Sequence, residues 1–154
     1  MVCRIWFITP LIHSDDVAHH SIAYTQTEEL RCEVETISGK RDPYRSRKEE
    51  LDKDIYAFFN MMVEKPPQGK MEDFMFWFCT VIDVHKPIVE HFGRYPYHNV
   101  ALGRVSSSEE ERWLRETGGW GNASPEVAER IRGDVEGGRW RPFGEEYEFG
   151  KGSE

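Results

Sequence analysis

Residues 71–92 read M-E-D-F-M-F-W-F-C-T-V-I-D-V-H-K-P-I-V-E-H-F. Phe74, Phe78, Val81, His85, Ile88 and Phe92 recur at three- and four-residue steps, which is the spacing of one face of an α-helix. The stretch predicts a buried helix over 71–92, the most apolar of the chain. Pro87 lies inside it and must kink the helix or begin a new one, because it lacks an N–H and its ring clashes with the preceding turn.

Working outward, the same period recurs on both sides. Leu51, Ile55, Phe58, Phe59 and Met62 predict a helix over 46–63, broken by Pro66-Pro67-Gln68-Gly69. Residues 40–47 read as a polar loop with a proline. Residues 3–13 form a short apolar helix despite Pro10. Ser14 is the expected N-cap of a helix over 15–37, with Asp15 and Asp16 in its first turn and Gly39 at its end. Downstream, Ser106-Ser107-Ser108-Glu109-Glu110 is a capping-box pattern that opens a helix through Glu116. Gly118-Gly119 ends it. Ser124-Pro125-Glu126 starts another helix, expected to end near Gly133. Strand signals are poor and no internal repeat shows sequence identity. The expected fold is all-α, with a single helical domain over 1–133. Residues 134–154 read as a flexible, acidic, Gly-rich tail in which Trp140, Phe143, Tyr147 and Phe149 dock weakly.

Composition excludes several classes. The 154-residue chain carries a net charge of -8, which argues against nucleic acid and anionic membranes as partners. No apolar run approaches the roughly 20 residues of a membrane-spanning helix. Arg4 followed by Ile5-Trp6-Phe7-Ile8 resembles the start of a signal peptide, but Pro10, His13, Asp15 and Asp16 interrupt it. Cys3, Cys32 and Cys79 are odd in number, far apart and lack a C-x-x-C pair, which suits reduced thiols and a cytoplasmic setting. Asn122-Ala123-Ser124 is followed by Pro125 and adds no case for secretion.

Two polar clusters stand out. Residues 85–99 read H-K-P-I-V-E-H-F-G-R-Y-P-Y-H-N, where Gly and Pro fix a loop after an apolar helix. His13-Ser14-Asp15-Asp16 sits at another helix junction. His85 reads either as a core histidine satisfied by one partner or as a general acid–base group tuned by burial and by Asp15 or Asp16. Arg94, Arg104 and His98 suit a carboxylate or phosphate clamp, or else tie the loop to helix carbonyls or to Glu109-Glu110. Asn99 reads as a turn or cap residue beside that clamp.

His13, Asp15, Asp16, His85, His91 and His98 are metal-ligand types without a metal-site spacing, so no metal and no cofactor are expected. His19-His20 reads as a solvated helix face. Ser14–His13 and Cys79–His85 are the available nucleophile pairs. No P-loop, nucleophile elbow or dinucleotide fingerprint is present.

Together these segments resemble one family. His13-Ser14-Asp15-Asp16 is similar to its H-S-E-D junction, with Asp16 in place of Glu. His85, Ile88-Val89 and Phe92-Gly93-Arg94-Tyr95-Pro96-Tyr97-His98-Asn99 are similar to its H-x-x-I-I-x-x-F-G-R-F-P-H-R-N, with Tyr97 for His and His98 for Arg. Leu102-Gly103-Arg104 with Ser106-Ser107-Ser108-Glu109-Glu110 is similar to its L-G-R-x-S-T-P-E-E. The chain resembles the domain of unknown function 924 family of bacteria and fungi.

The resemblance covers about 1–38 and 71–116, and 39–70 reads as an insertion. It implies an antiparallel helical array similar to tetratricopeptide repeats. The family's N-terminal helices, with their L-D-Q-F-P-R-N motif, have no counterpart. The expected function is binding of a small anionic or oxygen-rich metabolite in a polar pocket, with cofactor-independent acid–base chemistry. His13, Asp16 and His85 are the candidate catalytic residues. Asp15, Arg94, His98, Asn99 and Arg104 are the candidate ligand-binding residues. The alternative is a tetratricopeptide-like interaction module, or an obligate dimer paired through the uncovered faces of 3–13 and 71–92.

Overall fold

A computed structural model describes residues 2–64 and 66–141, with side chains from Arg4 onward. Every regular element among them is helical. These are α1 (Val2–Ile12), α2 (Val17–Ser38), α3 (Lys48–Leu51), α4 (Ala57–Val63), α5 (Met71–Asp83), α6 (Lys86–Phe92), α7 (Ser108–Glu116) and α8 (Pro125–Glu136). Short 3-10 turns span Pro43–Arg47 and Pro96–His98. The chain divides between Tyr95 and Pro96 into two compact units.

In the first unit α2 packs against both α1 and α5. One core cluster joins Leu30 and Val34 to Met75, Phe76 and Cys79, with Ile5 beside it. The other joins Ala23 to Ile8, Ile12 and Ile82. Low numbers on α2 therefore meet high numbers on α1 and α5, so both pairs run antiparallel. Burial of these apolar faces supplies the main driving force for the arrangement.

Local chemistry sets the helix ends. Asp16, not Ser14, caps α2, and its side chain accepts from the Ala18 N–H at 2.8 Å. Ser14 instead accepts from the Asp16 N–H. Gly39 closes α2 at φ 67°, with its N–H on the Glu35 carbonyl. That backbone conformation suits glycine because it has no Cβ.

The helix expected over 71–92 is two helices. Pro87 falls in the first turn of α6, where its missing N–H costs nothing. Extending α5 would have pushed its ring onto the Asp83 carbonyl. The helix expected over 46–63 is broken as well. Between α3 and α4, Asp54 accepts from the Tyr56 N–H at 2.8 Å and offers the backbone a turn in place of a continuing helix. Upstream, Asp42 accepts from the Tyr44 N–H at 2.7 Å and caps the Pro43–Arg47 turn.

In the second unit the capping box forms as expected, with Ser107 and Glu110 each accepting from the other's backbone N–H. Ser124 caps α8, which continues through Gly133 to Glu136 rather than ending near Gly133. Trp140 folds back, its N–H on the Asp134 carbonyl at 3.0 Å. Phe143, Tyr147 and Phe149 lie outside the described residues.

Candidate functional site

The first unit brings the His13 and His85 clusters together. The end of α1 delivers His13, and the α5–α6 break delivers His85. Their rings meet edge to face with centroids 5.6 Å apart. Phe58 lies 4.2 Å from the His85 ring, and Tyr95 lies edge-on at 6.1 Å. His85 is buried, and its Nδ1 donates to the Val81 carbonyl at 2.7 Å. A carbonyl accepts only, so the proton sits on Nδ1 and Nε2 carries the lone pair. Burial pushes the His85 pKa down to about 3. It is therefore a neutral ring at physiological pH. His13 is exposed, and burial of part of its ring lowers its pKa as well.

Tyr95 ties this corner together. Its hydroxyl donates to the Ile12 carbonyl, and its N–H donates to Asp15 Oδ1 at 3.1 Å. His20 completes the corner. It is buried, with Nε2 donating to the Ser14 carbonyl at 2.7 Å and lying 3.5 Å from the Tyr95 hydroxyl. The sequence reading placed His20 on a solvated face with His19, but only His19 is exposed there.

The remaining candidates take other places. Asp16 is the exposed cap of α2. Arg94 is half-buried, next to Tyr95. Ser14 Oγ bonds His19 Nδ1 at 2.8 Å. Cys79 is fully buried, and desolvation raises its thiol to about 12, so it stays protonated beside α2. Among the described residues no group of three or more His, Cys, Asp or Glu side chains is placed to hold a metal ion.

His98, Asn99 and Arg104 belong to the second unit. Asn99 is fully buried there, as a turn residue. Its Nδ2 donates to Ser106 Oγ at 3.1 Å, and its carbonyl accepts from the Arg104 N–H at 2.7 Å. Arg104 and Ser106 line a cleft of about 540 Å³ that Arg132, Glu111, Glu136, Leu114 and Ile131 also border.

A family described as "Bacterial protein of unknown function (DUF924)" matches residues 1–118. The chain belongs to the DUF924 family. No curated protein and no solved structure matches it. The matched DUF924 span includes 39–70, the stretch that read as an insertion.

Part of that stretch builds the most charged interior of this DUF924 protein. Arg31 is 2% exposed on α2. It donates to Asp42 through Nε, to Asp83 Oδ2 through Nη2 at 2.6 Å, and to Glu28 through Nη1 at 2.9 Å. Lys48 reaches the same Asp83 oxygen at 3.2 Å and stands 3.8 Å over the Tyr24 ring. Arg45 bonds Glu35 and Glu28 at 2.7 Å each, and its hydrogen bond holds the Glu35 carboxyl at about 2. Burial pushes Asp83 upward against the opposing pull of Arg31 and Lys48.

Sequence reasoning missed this network. The signal was available: Arg31 shares the buried stripe of α2 with His20, Ala23, Thr27, Leu30 and Val34. A charge in phase with a core face needs a buried partner.

Proposed function

We propose that this protein is a cytoplasmic small-molecule binder of tetratricopeptide-like build, taking an anionic or oxygen-rich metabolite with an apolar part. The observation that carries the reading is the Arg104 cleft. Its volume, about 540 Å³, lies in the ordinary range for small ligands. Arg104 suits a carboxylate or phosphate group, while Leu114 and Ile131 suit an apolar portion. Cys32 and Cys79 are free thiols, in keeping with a reducing compartment. No helix among the described residues is long and apolar enough to cross a membrane.

The acid–base part of the proposal rests on the other unit and is separate. His13 is the proton carrier there, exposed and neutral near pH 7. His85, with Nδ1 held by Val81, is its positioning residue. Asp15 fixes the corner through Tyr95.

A native mass spectrum of the purified chain names any ligand that travels with it. Calorimetric titration with inorganic phosphate and a series of di- and tricarboxylates then tests the cleft. Wild type binds at least one of them, and Arg104→Ala weakens that binding by about tenfold or more, the scale of one lost charge-assisted contact. Equal binding by Arg104→Ala, or no binding by wild type, overturns the reading.

A second reading is favoured by α1. Trp6 and Phe7 are 73% and 76% exposed there, and adjacent exposed aromatics suit a protein contact. It predicts an association that Trp6→Ala weakens and that leaves phosphate and carboxylate titrations unchanged.

A further inference from the structure

The Arg31 network lines a partly open pocket with room of about 10 Å³, bordered by Arg31, Tyr44, Lys48, Leu51, Thr80 and Asp83 among others. Asp83 is 4% exposed. Its Oδ2 takes both Arg31 and Lys48, whereas its Oδ1 is buried with no protein donor. We propose that this cavity is a built hydration site, in which one ordered water donates to Asp83 Oδ1 and is a fixed part of the folded protein.

Three observations fix the occupant. The first is size: room on the order of 10 Å³ for a water-sized sphere admits one water and nothing larger. The second is partners, since a buried water needs two to four. Asp83 Oδ1 accepts one of its protons. The Thr80 hydroxyl already donates to the Phe76 carbonyl at 3.0 Å, which leaves its oxygen as an acceptor for the other. Arg31 spends one N–H on each of Asp42, Asp83 and Glu28 and has two more to give a water oxygen.

The third is charge. Arg31, Arg45 and Lys48 border the same space, so a cation is repelled, and Asp52 and Asp83 repel an anion. A neutral molecule that both donates and accepts fits both walls. It also explains how a carboxylate with one buried, protein-unpartnered oxygen is tolerated, because such an oxygen otherwise carries the full cost of desolvation.

A crystal structure of the full chain at about 1.5 Å resolution, the range in which ordered waters are resolved, tests this. The expected result is one isolated peak within hydrogen-bond distance of Asp83 Oδ1 and of at least one more lining group. A cavity without density, a peak with anomalous signal from an ion, or a rearranged Asp83 whose Oδ1 meets a protein donor overturns it.

The solution counterpart uses methyl-labelled wild-type protein. Magnetisation transfer from water to the Thr80 and Leu51 methyl groups, with the sign of a long-lived bound water, supports the site. No transfer to either methyl overturns it.

Discussion

Arg31 on α2 and Asp83 on α5 meet at 2.6 Å across 52 residues of chain, and both are buried. The pair ties α2 to the C-terminal end of α5. Truncating one partner leaves a buried charge uncompensated, which costs roughly 3–5 kcal/mol. Arg31→Met is therefore expected to lower the urea midpoint severely. Arg31→Met with Asp83→Leu regains part of the loss, because two of the charges are removed together. A single variant as stable as wild type would show that the clamp carries no stability.

Acid lowers stability in a defined window. His85 is neutral in the folded protein, with its pKa pushed down to about 3 by burial, and burial lowers His20 and His13 too. The unfolded chain takes up these protons near the ordinary histidine value of about 6.5. The unfolded state thus binds more protons below that pH, so stability is full above about 6.5 and falls as pH drops toward 3. Urea midpoints at pH 8, 6 and 5 read this out. His85→Phe flattens the slope relative to wild type, and an unchanged slope would remove His85 from the account.

Gly103 and Gly39 separate two kinds of glycine. Both have positive φ, 66° and 67°. A Cβ on Gly39 meets nothing within 4 Å, whereas one on Gly103 comes within 2.6 Å of Val135 Cγ2. Gly39→Ala is expected to cost about 1–2 kcal/mol, the strain of the left-handed conformation alone. Gly103→Ala adds a packing clash of about 1–3 kcal/mol. Thermal unfolding of the two variants ranks them, and the reverse order would contradict this packing.

Asn99 holds the loop of the second unit through Ser106 and Arg104. Asn99→Ala removes the side-chain bond to Ser106 Oγ, leaves the backbone bond to Arg104 in place, and is expected to cost about 1 kcal/mol. Amide hydrogen exchange checks the location of the damage. Protection falls at Arg104, whose N–H bonds the Asn99 backbone carbonyl inside the loop that the Asn99–Ser106 bond braces, while α2 and α5 keep theirs.

Features set within a few residues were legible in the sequence. The Phe74-to-Phe92 stripe marked a buried helical stretch, although Met75, Phe76 and Cys79 are buried more deeply than Phe74, Phe78 and Phe92; Pro87 marked its break, and Ser107 with Glu110 gave the capping box. Gly39 and Ser124-Pro125 marked their helix ends. Each of these signals lies within one turn of the element it controls. The all-α class followed from them.

What escaped depends on contacts between segments distant in the chain. Asp54 sits at the break of a helix that periodicity alone would continue. His20 and Arg31 sit in α2, whose polar composition suggests a solvated helix, and only their phase with Ala23, Leu30 and Val34 betrays burial. The meeting of His13 with His85 was not legible either, because it is made by the docking of α1 on α2 and the turn before α6.

The bond from Tyr95 to the Ile12 carbonyl spans 83 residues. During synthesis at about 5–20 residues per second, roughly 4–17 s pass between the two. Through that interval α1, whose only charged residue is Arg4, lacks its tyrosine latch, and for most of it also lacks the α5 surface that packs with Ile8 and Ile12. The nascent chain thus exposes an apolar segment in α1 and seals it late. α1, rather than the charged network around Arg31, is the stretch that a ribosome-associated chaperone would be expected to hold.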